Sequence, residues 1–574
     1  MSTSSMTSSI LRNAFRTKPL HVIDAEETKE DLERTLGMFD LICLGMGATI
    51  GSGVFSTTGL MISQIAGPAA VLSWLLGGAV CVFNTFAYME LSTRIPSGGS
   101  TYAYAYHGIG ELPAVIAAWL VSLEYSVSAA GVARSWADKV EEWLVLEHPD
   151  RDFHWLNLKH ANLLGGLIQF LSMLVLLVGV RFGKHFVNTF TIAKVSVVAF
   201  IVVAGLAALD TANLSPFLPS RTVLEGVGGA FGVQGVVTGA SQAFFGFSGF
   251  DEVCCLSGEA RNAKRNVPIA VMVVVVATVL ISALCSFVLA GMIPYLEAGS
   301  FADGFEYHGW KWAGAVVRAG ETVTMPVVVL VGFLAQPRVN YALACDGLVP
   351  GIFAQVDRHK NLFWNILLSG AFFTVVAAVL PFDTLWDIVN FGVMMSFILA
   401  NVALLNIRTR LGAAPRLGAQ LIAALVLLTG LAAFLYQEGY ENRGSGACLG
   451  LAVASLALAA GVTVAYYVKC PQQTNHSLYF TAPLVPFIPA VSILADWYMI
   501  AQLSHRGLAL SCIWVGAAVL SYAVYGYKNS AGRRGWSTLL ATAKLRTPLS
   551  APMLSAEEGR SSSASSKGNH YYTS

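Results

Sequence analysis

The amino-acid sequence predicts an all-α polytopic membrane protein with about fourteen transmembrane helices, and three observations support this fold class. First, 55% of the 574 residues are hydrophobic. Second, only 12% of the residues are charged, whereas a soluble domain of average composition is about 25% charged. Third, apolar windows of about 20 residues, long enough to cross a bilayer, recur along the chain. The lipid bilayer is therefore the first predicted partner.

The apolar windows have boundaries that are accurate to a few residues. They fall near 38–64, 68–93, 111–137, 162–180, 184–208, 228–258, 267–293, 312–344, 362–380, 384–406, 417–436, 447–468, 481–503 and 507–527. These windows divide the chain into four parts. The parts are a cytoplasmic N-terminal tail at 1–36, a core of ten helices at 37–410, four further helices at 411–530, and a cytoplasmic serine-rich tail at 531–574.

The distribution of lysine and arginine predicts how the chain is oriented in the membrane. If the N-terminus is cytoplasmic, the inner loops and tails hold about twenty of these residues and the outer loops about seven. An even number of spans then places the C-terminus in the cytoplasm as well. We expect the plasma membrane as the location, in preference to a vacuolar or lysosomal membrane.

Other features of the composition argue against several function classes. The net charge of +1 argues against nucleic acid as a partner. The nine cysteines lie mostly within apolar windows and form no CxxC pair, so we expect neither a disulfide framework nor a metal site. The histidines are scattered singly, and no catalytic cluster stands out that would indicate a membrane-embedded enzyme. We also expect no obligate protein partner.

The stretch from Gly45 to Gly59, GMGATIGSGVFSTTG, lies in the first apolar window and contains five glycines. Each interior glycine costs a helix about 1 kcal/mol relative to alanine. We therefore predict a crossing helix that is broken near the middle of the membrane, with Thr49 and Ser52 beside the break. Such a break exposes the amides that begin the second half-helix, and these amides suit a carboxylate. Close packing of a glycine-rich helix against its neighbours is the alternative explanation.

A second break is predicted in the segment FFGFSGF, which begins at Phe244 in the sixth window. Gly246 and Gly249 interrupt this segment, and Asp251 is well placed to cap a new half-helix.

The two predicted breaks are about 200 residues apart, and each opens a group of five spans. The two groups, at about 37–208 and 228–406, start on opposite sides of the membrane. Paired interrupted helices in two inverted halves indicate the midplane binding site of a secondary transporter.

Two ionisable residues, Glu124 and Lys194, lie near the centres of otherwise apolar windows. Insertion scales assign such a charge a cost of about 2.5 to 3.5 kcal/mol, so each residue needs a polar neighbour or a function. Lys194 can pack beside the first break, where it would bind a proton, because burial favours the neutral amine, or would act as a fixed cation. A structural ion pair between the two residues is the alternative. We expect Arg318 and Glu321, which are three residues apart in the eighth window, to form an ion pair within one helix.

Four segments of the sequence together resemble a known family. They are GMGATIGSGVFSTTG, RIPSGGSTYAYAYHGIGELPAVIAAWLVSLEY, FFGFSGFDEVCCLSGEARNAKRNVPIAV and QPRVNYALACDGLVPGIFAQV. Their order and spacing are similar to those of the cationic amino acid transporter family, within the amino acid–polyamine–organocation superfamily. The resemblance covers roughly residues 36–530. It implies a LeuT-like core of five plus five inverted helices, followed by four C-terminal helices.

The resemblance also implies a substrate site built from main-chain groups. The amides of Ser52 and Gly53 would bind the substrate carboxylate. Carbonyls near Thr49 and Ile50, together with the second break, would receive the α-ammonium group. The implied substrate site comprises Thr49, Ile50, Gly51, Ser52, Gly53, Phe244, Phe245, Gly246, Phe247, Ser248 and Met325.

The remaining roles implied by the resemblance concern gating and coupling. Phe245 or Phe247 would close over the bound substrate. Lys194 matches the lysine of proton-coupled bacterial members, and Glu124 matches their acidic residue in the third span. No cofactor is expected apart from a coupling proton, and proton symport and facilitated diffusion both remain open.

We therefore expect a secondary active transporter of L-amino acids and not an enzyme. The family name indicates cationic substrates such as arginine, lysine and ornithine. Met325, a bulky apolar residue in the region expected to face the substrate side chain, instead favours a small neutral amino acid. A transporter-like amino acid sensor is a further alternative, although the short tails argue against it.

Overall fold

The computed structural model describes residues 13–27, 34–148, 157–158, 161–178, 184–220, 231–357, 361–410, 415–472 and 480–537. The predicted serine-rich tail lies outside these residues from position 538 onward. Within the described ranges the chain is a bundle of helices with one small antiparallel hairpin. The hairpin pairs β1 (Asn157–Leu158) with β2 (Ala161–Asn162). The predicted all-α class is therefore confirmed.

The helices that precede the second predicted break are α1 (Leu20–Glu27), α2 (Met38–Thr49), α3 (Ser52–Leu60), α4 (Ala70–Arg94), α5 (Thr101–Gly108), α6 (Glu111–Ser122), α7 (Ser128–Glu147), α8 (Leu163–Leu177) and α9 (Lys184–Ala207). The later helices are α10 (Gly232–Gln242), α11 (Glu252–Cys255), α12 (Ala263–Met292), α13 (Phe301–Tyr307), α14 (Lys311–Cys345), α15 (Phe363–Val379), α16 (Phe382–Arg410), α17 (Pro415–Phe434), α18 (Gly446–Lys469), α19 (Phe487–Ile500), α20 (His505–Ser521) and α21 (Tyr527–Asn529).

Nine helical stretches of the described residues are long and apolar enough to cross a membrane. The first of them, Met38–Arg94, holds the first two predicted windows, and α8, α15 and α19 are shorter apolar helices. The protein is therefore a multi-pass membrane protein. Every predicted window overlaps a helix, whereas the number of fourteen crossings and the inverted layout of the two repeats stay predictions.

Large apolar side chains cover the outside of the bundle. Val203, Leu280 and Leu427 are 71%, 60% and 73% exposed. A soluble monomer rarely exposes so much apolar surface, but lipid covers it without cost.

A buried ionic network connects the core to the C-terminal helices. Glu90 of α4 pairs with Arg408 of α16 and with Arg94, and its carboxylate also accepts a hydrogen bond from the amide of Ala482 at 2.7 Å. Arg408 in turn donates to the carbonyl of Ala482 at 3.0 Å. Two charges that would be unfavourable alone in this interior are therefore compensated by each other and by the main chain.

Part of the predicted N-terminal tail packs against the core. Lys18 is only 3% exposed, and its Nζ lies 2.8 Å from both carboxylate oxygens of Asp346, which follows α14. The hydroxyl of Tyr102 donates to the same carboxylate at 2.6 Å. The amide of Lys18 donates to the carbonyl of Tyr106 at 3.2 Å. The segment from residue 13 to residue 27 therefore joins the end of α14 to α5.

Candidate functional site

The first crossing helix is broken where the sequence predicts. Helix α2 ends at Thr49, Ile50 is extended with φ −75° and ψ 122°, and α3 begins at Ser52. Gly51 between them has a φ of 123°, a backbone conformation that residues other than glycine rarely adopt. The first amides of α3 have no partner within that helix, and the helix dipole makes this end positive. The geometry therefore suits an anion beside the break.

The side chain of Thr49 has a structural function at this point. Its Oγ1 donates to the carbonyl of Gly45 at 3.0 Å and lies 3.0 Å from Oγ1 of Thr278 in α12. Thr49 therefore ties the end of α2 to a neighbouring helix, and a contribution to substrate binding would come from its main chain.

The second break also forms where the sequence predicts. Helix α10 continues as a 3₁₀ turn over Ala243–Phe247, Ser248 is extended, and Gly249 has a φ of 102°. The expectation that Asp251 caps the following helix is wrong in one respect. Asp251 occupies the N-cap position of α11, but its side chain makes no capping hydrogen bond and instead accepts from the hydroxyl of Tyr125 at 2.7 Å.

The two breaks meet inside the bundle. A Cβ atom added to Gly53 would overlap Cα of Gly246, and one added to Gly249 would lie 2.8 Å from Cβ of Ala48. Gly246 is also packed against the indole of Trp74. Both explanations of the glycines therefore hold together, since these residues break the helices and also allow the two main chains to touch.

Lys194 of α9 reaches the first break from the side. Its Nζ donates to the carbonyl of Gly47 at 2.6 Å, and the residue is 3% exposed. A Cβ atom on Gly51 would lie 3.3 Å from both Cδ and Nζ of this lysine. The alternative explanation of an ion pair with Glu124 is wrong, because neither carboxylate oxygen of Glu124 has a hydrogen-bond partner among the described residues.

Glu124 belongs to the second break instead. It lies in a π-helical turn, Leu123–Val127, between α6 and α7, and its carbonyl accepts from Oγ of Ser248 at 2.9 Å. Its two carboxylate oxygens are buried and receive no hydrogen bond from a donor in the described part of the chain. The carboxyl groups of Glu124 and Asp251 lie near each other in this region. The sequence analysis missed this proximity because it assigned Asp251 only a capping role.

The three phenylalanines at the second break face different neighbours. The ring of Phe245 lies against Gly131 of α7 and 5.7 Å from the ring of Phe382 in an edge-to-face contact. Phe247 makes its contact with Trp74 of α4, at 5.7 Å between ring centroids. Phe244 packs against Phe397 of α16, at 6.1 Å. Of the two predicted gate residues, Phe245 is therefore the one beside α7.

Two cavities lie along α7 and α14. The Glu124 cavity is lined by residues of both breaks and offers about 10 Å³ to the centre of a water molecule. The second cavity, called the Glu321 cavity, has a volume of about 30 Å³. Its lining includes Trp136, Lys139, Asp303, Arg318, Glu321 and Met325.

Met325 is fully buried and lies between the two cavities. It lines the Glu321 cavity, whereas Val328, one turn further along α14, lines the Glu124 cavity. Among the predicted substrate residues, Ser248 therefore lines the Glu124 cavity and Met325 lines the Glu321 cavity.

The predicted intrahelical pair of Arg318 and Glu321 is wrong. Arg318 pairs with Glu306 and, at 3.6 Å, with Asp303, both in α13. Glu321 pairs with Lys139 of α7 at 2.7 Å. The partners are 182 residues apart, so local spacing in the sequence could not have identified them.

Comparisons with known proteins agree with this arrangement. A family model described as amino acid permease matches residues 36–446, and a model of the C-terminus of such permeases matches residues 480–530. The chain is 32% identical to a methylthioribose transporter of Bacillus subtilis over 70% of its length and 87% of that protein. It is 28% identical to cationic amino acid transporter 1 of Arabidopsis thaliana, over 94% and 89% of the two chains. It is also 28% identical to a branched-chain amino acid permease of Bacillus subtilis, over 70% and 87%.

Proposed function

This chain belongs to the amino acid permease family, and from that premise we propose that it is a secondary active transporter of L-amino acids that works by alternating access. The observation that carries the proposal is the contact between the two breaks, where Gly53 of α3 meets Gly246 of the second interrupted helix. Main-chain groups freed from helix inside a bilayer require partners, and a zwitterionic substrate supplies both a donor and an acceptor.

In this proposal the carboxylate and the α-ammonium group of the substrate bind to different main-chain groups, amides in one case and carbonyls in the other. The carboxylate binds the amides of Ser52 and Gly53 at the positive end of α3. The α-ammonium group binds carbonyls near Thr49 and Ile50 and at the second break. Phe245 closes over the substrate from the side of α7. When the contact between the breaks loosens on one side, the site opens to that side.

We further propose that a proton drives transport through Lys194. Lys194 is buried, and its Nζ donates to the carbonyl of Gly47 at the first break. A change of charge on this lysine would therefore alter the first break directly. In this proposal Glu124, whose carbonyl accepts from Oγ of Ser248 at the second break, responds to the same movement.

For substrate class we propose cationic amino acids, in agreement with the name of the relative from Arabidopsis thaliana. A small or branched neutral amino acid is the second candidate. Fully buried Met325 presents an apolar side chain to the Glu321 cavity, and the branched-chain amino acid permease is also a relative. We propose the plasma membrane as the location, with both termini in the cytoplasm.

Uptake into vesicles that contain the purified protein tests the proposal. Arginine, lysine, alanine and leucine are each offered in radiolabelled form at two pH values, with the other three amino acids, unlabelled, as competitors. Saturable uptake that lysine inhibits is the expected result. Inhibition by alanine or leucine alone would support the neutral alternative, and binding without uptake would indicate a sensor. Neither uptake nor binding of any of the four would contradict the proposed function.

A further inference from the structure

The Glu321 cavity is built from charged and aromatic side chains at one end of α7 and α14. Its volume is sufficient for roughly two water molecules, or for one ammonium or guanidinium group after small movements of its walls. The indole of Trp136 is held in place because Nε1 donates to the carbonyl of Thr322 at 3.0 Å. Trp143 also lines the cavity. Aromatic faces of this kind attract cations.

Acidic residues outnumber basic residues around this cavity. Three acidic and two basic residues line it, and Glu306, which pairs with Arg318, adds a further carboxylate just outside. Arg318 is occupied by Glu306 and Asp303. Lys139 is occupied by Oε2 of Glu321. A cation that enters the cavity therefore meets a negative potential.

One acceptor in the wall of the cavity is buried and unsatisfied. Glu321 is 95% buried, since its exposed fraction is 5%, and its Oε1 has no hydrogen-bond partner among the described residues. A buried carboxylate oxygen without a donor is unfavourable, so a ligand that brings a charged N–H group gains that interaction.

The position of Glu321 matches the reach of a cationic side chain. Glu321 and Met325 are four residues apart on α14, so they share a face and are separated by about 6 Å along the axis. An extended lysine side chain covers about the same distance. A substrate whose methylenes pack along Met325 would therefore place its charge beside Glu321. The methionine then suits the apolar stem of the substrate and the glutamate suits its charged end.

We propose that the Glu321 cavity is the binding site for the charged end of a cationic amino acid substrate, with Oε1 of Glu321 as the acceptor. This inference rests on the proposed transport function. Lys139 holds the carboxylate in place through Oε2, and its positive charge weakens the attraction of Glu321 for a second cation.

The test compares arginine with citrulline, which has nearly the same shape but no charge on its side chain. Each is measured as an inhibitor of radiolabelled substrate uptake into vesicles that contain the wild-type protein or a variant. In Glu321→Gln, the inhibition constant of arginine should rise by about tenfold or more, while that of citrulline changes by less than about twofold. In Lys139→Gln, arginine should bind more tightly, because a neighbouring positive charge that repels it is removed. Glu297→Gln removes an exposed carboxylate outside the cavity and should change neither constant.

The outcomes separate this site from the transport function itself. If Glu321→Gln weakens arginine and citrulline equally, or if Lys139→Gln weakens both, the pair is structural and the inference is overturned. If the wild-type protein transports neutral amino acids but not arginine, the inference is overturned while the transport function stands. If it transports no amino acid, both proposals fall.

Discussion

At the scale of single residues, Lys194 is the charge closest to the first break. Its Nζ is bonded to the carbonyl of Gly47 and lies against Gly51, where the helix is interrupted. Lys194→Met retains much of the length of the side chain and removes its capacity to carry a proton. We expect this variant to lose accumulation of substrate against a gradient while it still binds substrate. Uptake driven by an imposed proton gradient, together with equilibrium binding by calorimetry, measures the two properties separately.

The matched control for this variant is Lys469→Met, at the exposed end of α18. It removes the same charge from a surface position and should leave both accumulation and binding unchanged. Accumulation that persists in Lys194→Met would show that this lysine is only structural.

Gly53 has no space for a side chain. A Cβ atom there would overlap the main chain of Gly246, which cannot move aside as the end of a flexible side chain can. Overpacking of this kind costs about 1 to 3 kcal/mol, so the initial uptake rate of Gly53→Ala should fall by about tenfold to a hundredfold. Gly461→Ala, at a helical position where nothing lies within 4 Å, is the control and should transport normally. Normal uptake by both variants would contradict the proposed contact between the breaks.

These residues show what sequence reasoning can and cannot predict. The glycines of both breaks could be identified because glycine is unfavourable in a helix unless the main chain needs it. The direction of the Asp251 side chain and the pairing of Glu321 with Lys139 could not, because both depend on residues from distant segments. Local spacing in the sequence predicted that Asp251 caps a helix and that Glu321 pairs with Arg318. In the structure both side chains contact residues from distant segments instead.

At the scale of helices, the apolar windows located the elements because length and hydropathy suffice to mark a helix in lipid. Windows did not show where a helix changes its winding, as in the π-helical turn that holds Glu124 or the 3₁₀ turn before Ser248. These changes depend on which neighbours can satisfy the released main-chain groups.

The contact between α4 and α16 depends on a buried ion pair that can be tested by mutation. Arg408→Met leaves Glu90 buried with Arg94 as its remaining ionic partner and removes the bond to the carbonyl of Ala482. Breaking a buried pair by removing one partner costs about 3 to 5 kcal/mol, and the presence of Arg94 favours the lower end. We expect a clear decrease in the melting temperature of the purified protein in detergent. Thermal unfolding followed by size-exclusion chromatography measures this temperature.

Arg416→Met is the control for that experiment, because Arg416 is exposed at the start of α17. It should leave the melting temperature within a degree or two of the wild type, since exposed charges contribute about 0 to 1 kcal/mol. Equal melting temperatures for Arg408→Met and Arg416→Met would show that the Glu90 network does not stabilise the contact between the helices.

At the scale of the whole molecule, the Glu124 cavity and the Glu321 cavity are not connected to each other in the part of the chain that the structure describes. The Glu124 and Glu321 cavities are small and are separated at Met325. On the side that the charge distribution assigns to the cytoplasm, the N-terminal segment joins α5 to the end of α14 through Lys18 and Asp346. Ala14 and Val22 of that segment belong to the same apolar cluster as Cys255 of α11. In the proposed alternating-access mechanism, we expect this segment to release its contacts when the cytoplasmic side opens.

Lys18→Met should favour the state that is open to the cytoplasm. It removes the bonds to both oxygens of Asp346, and hydrogen bonds between charged groups are worth about 1.5 to 3 kcal/mol, so the open population should rise by about tenfold or more. Cys255, which is 5% exposed and has its Sγ 3.2 Å from the hydroxyl of Tyr125, reports that opening. In a protein whose other cysteines are serine, a maleimide added from the cytoplasmic side should modify Cys255 at least several times faster in the Lys18→Met variant. The exposed Lys528→Met is the control and should react at the wild-type rate. A rate for Lys18→Met that equals this control would show that the N-terminal segment does not restrain the cytoplasmic side.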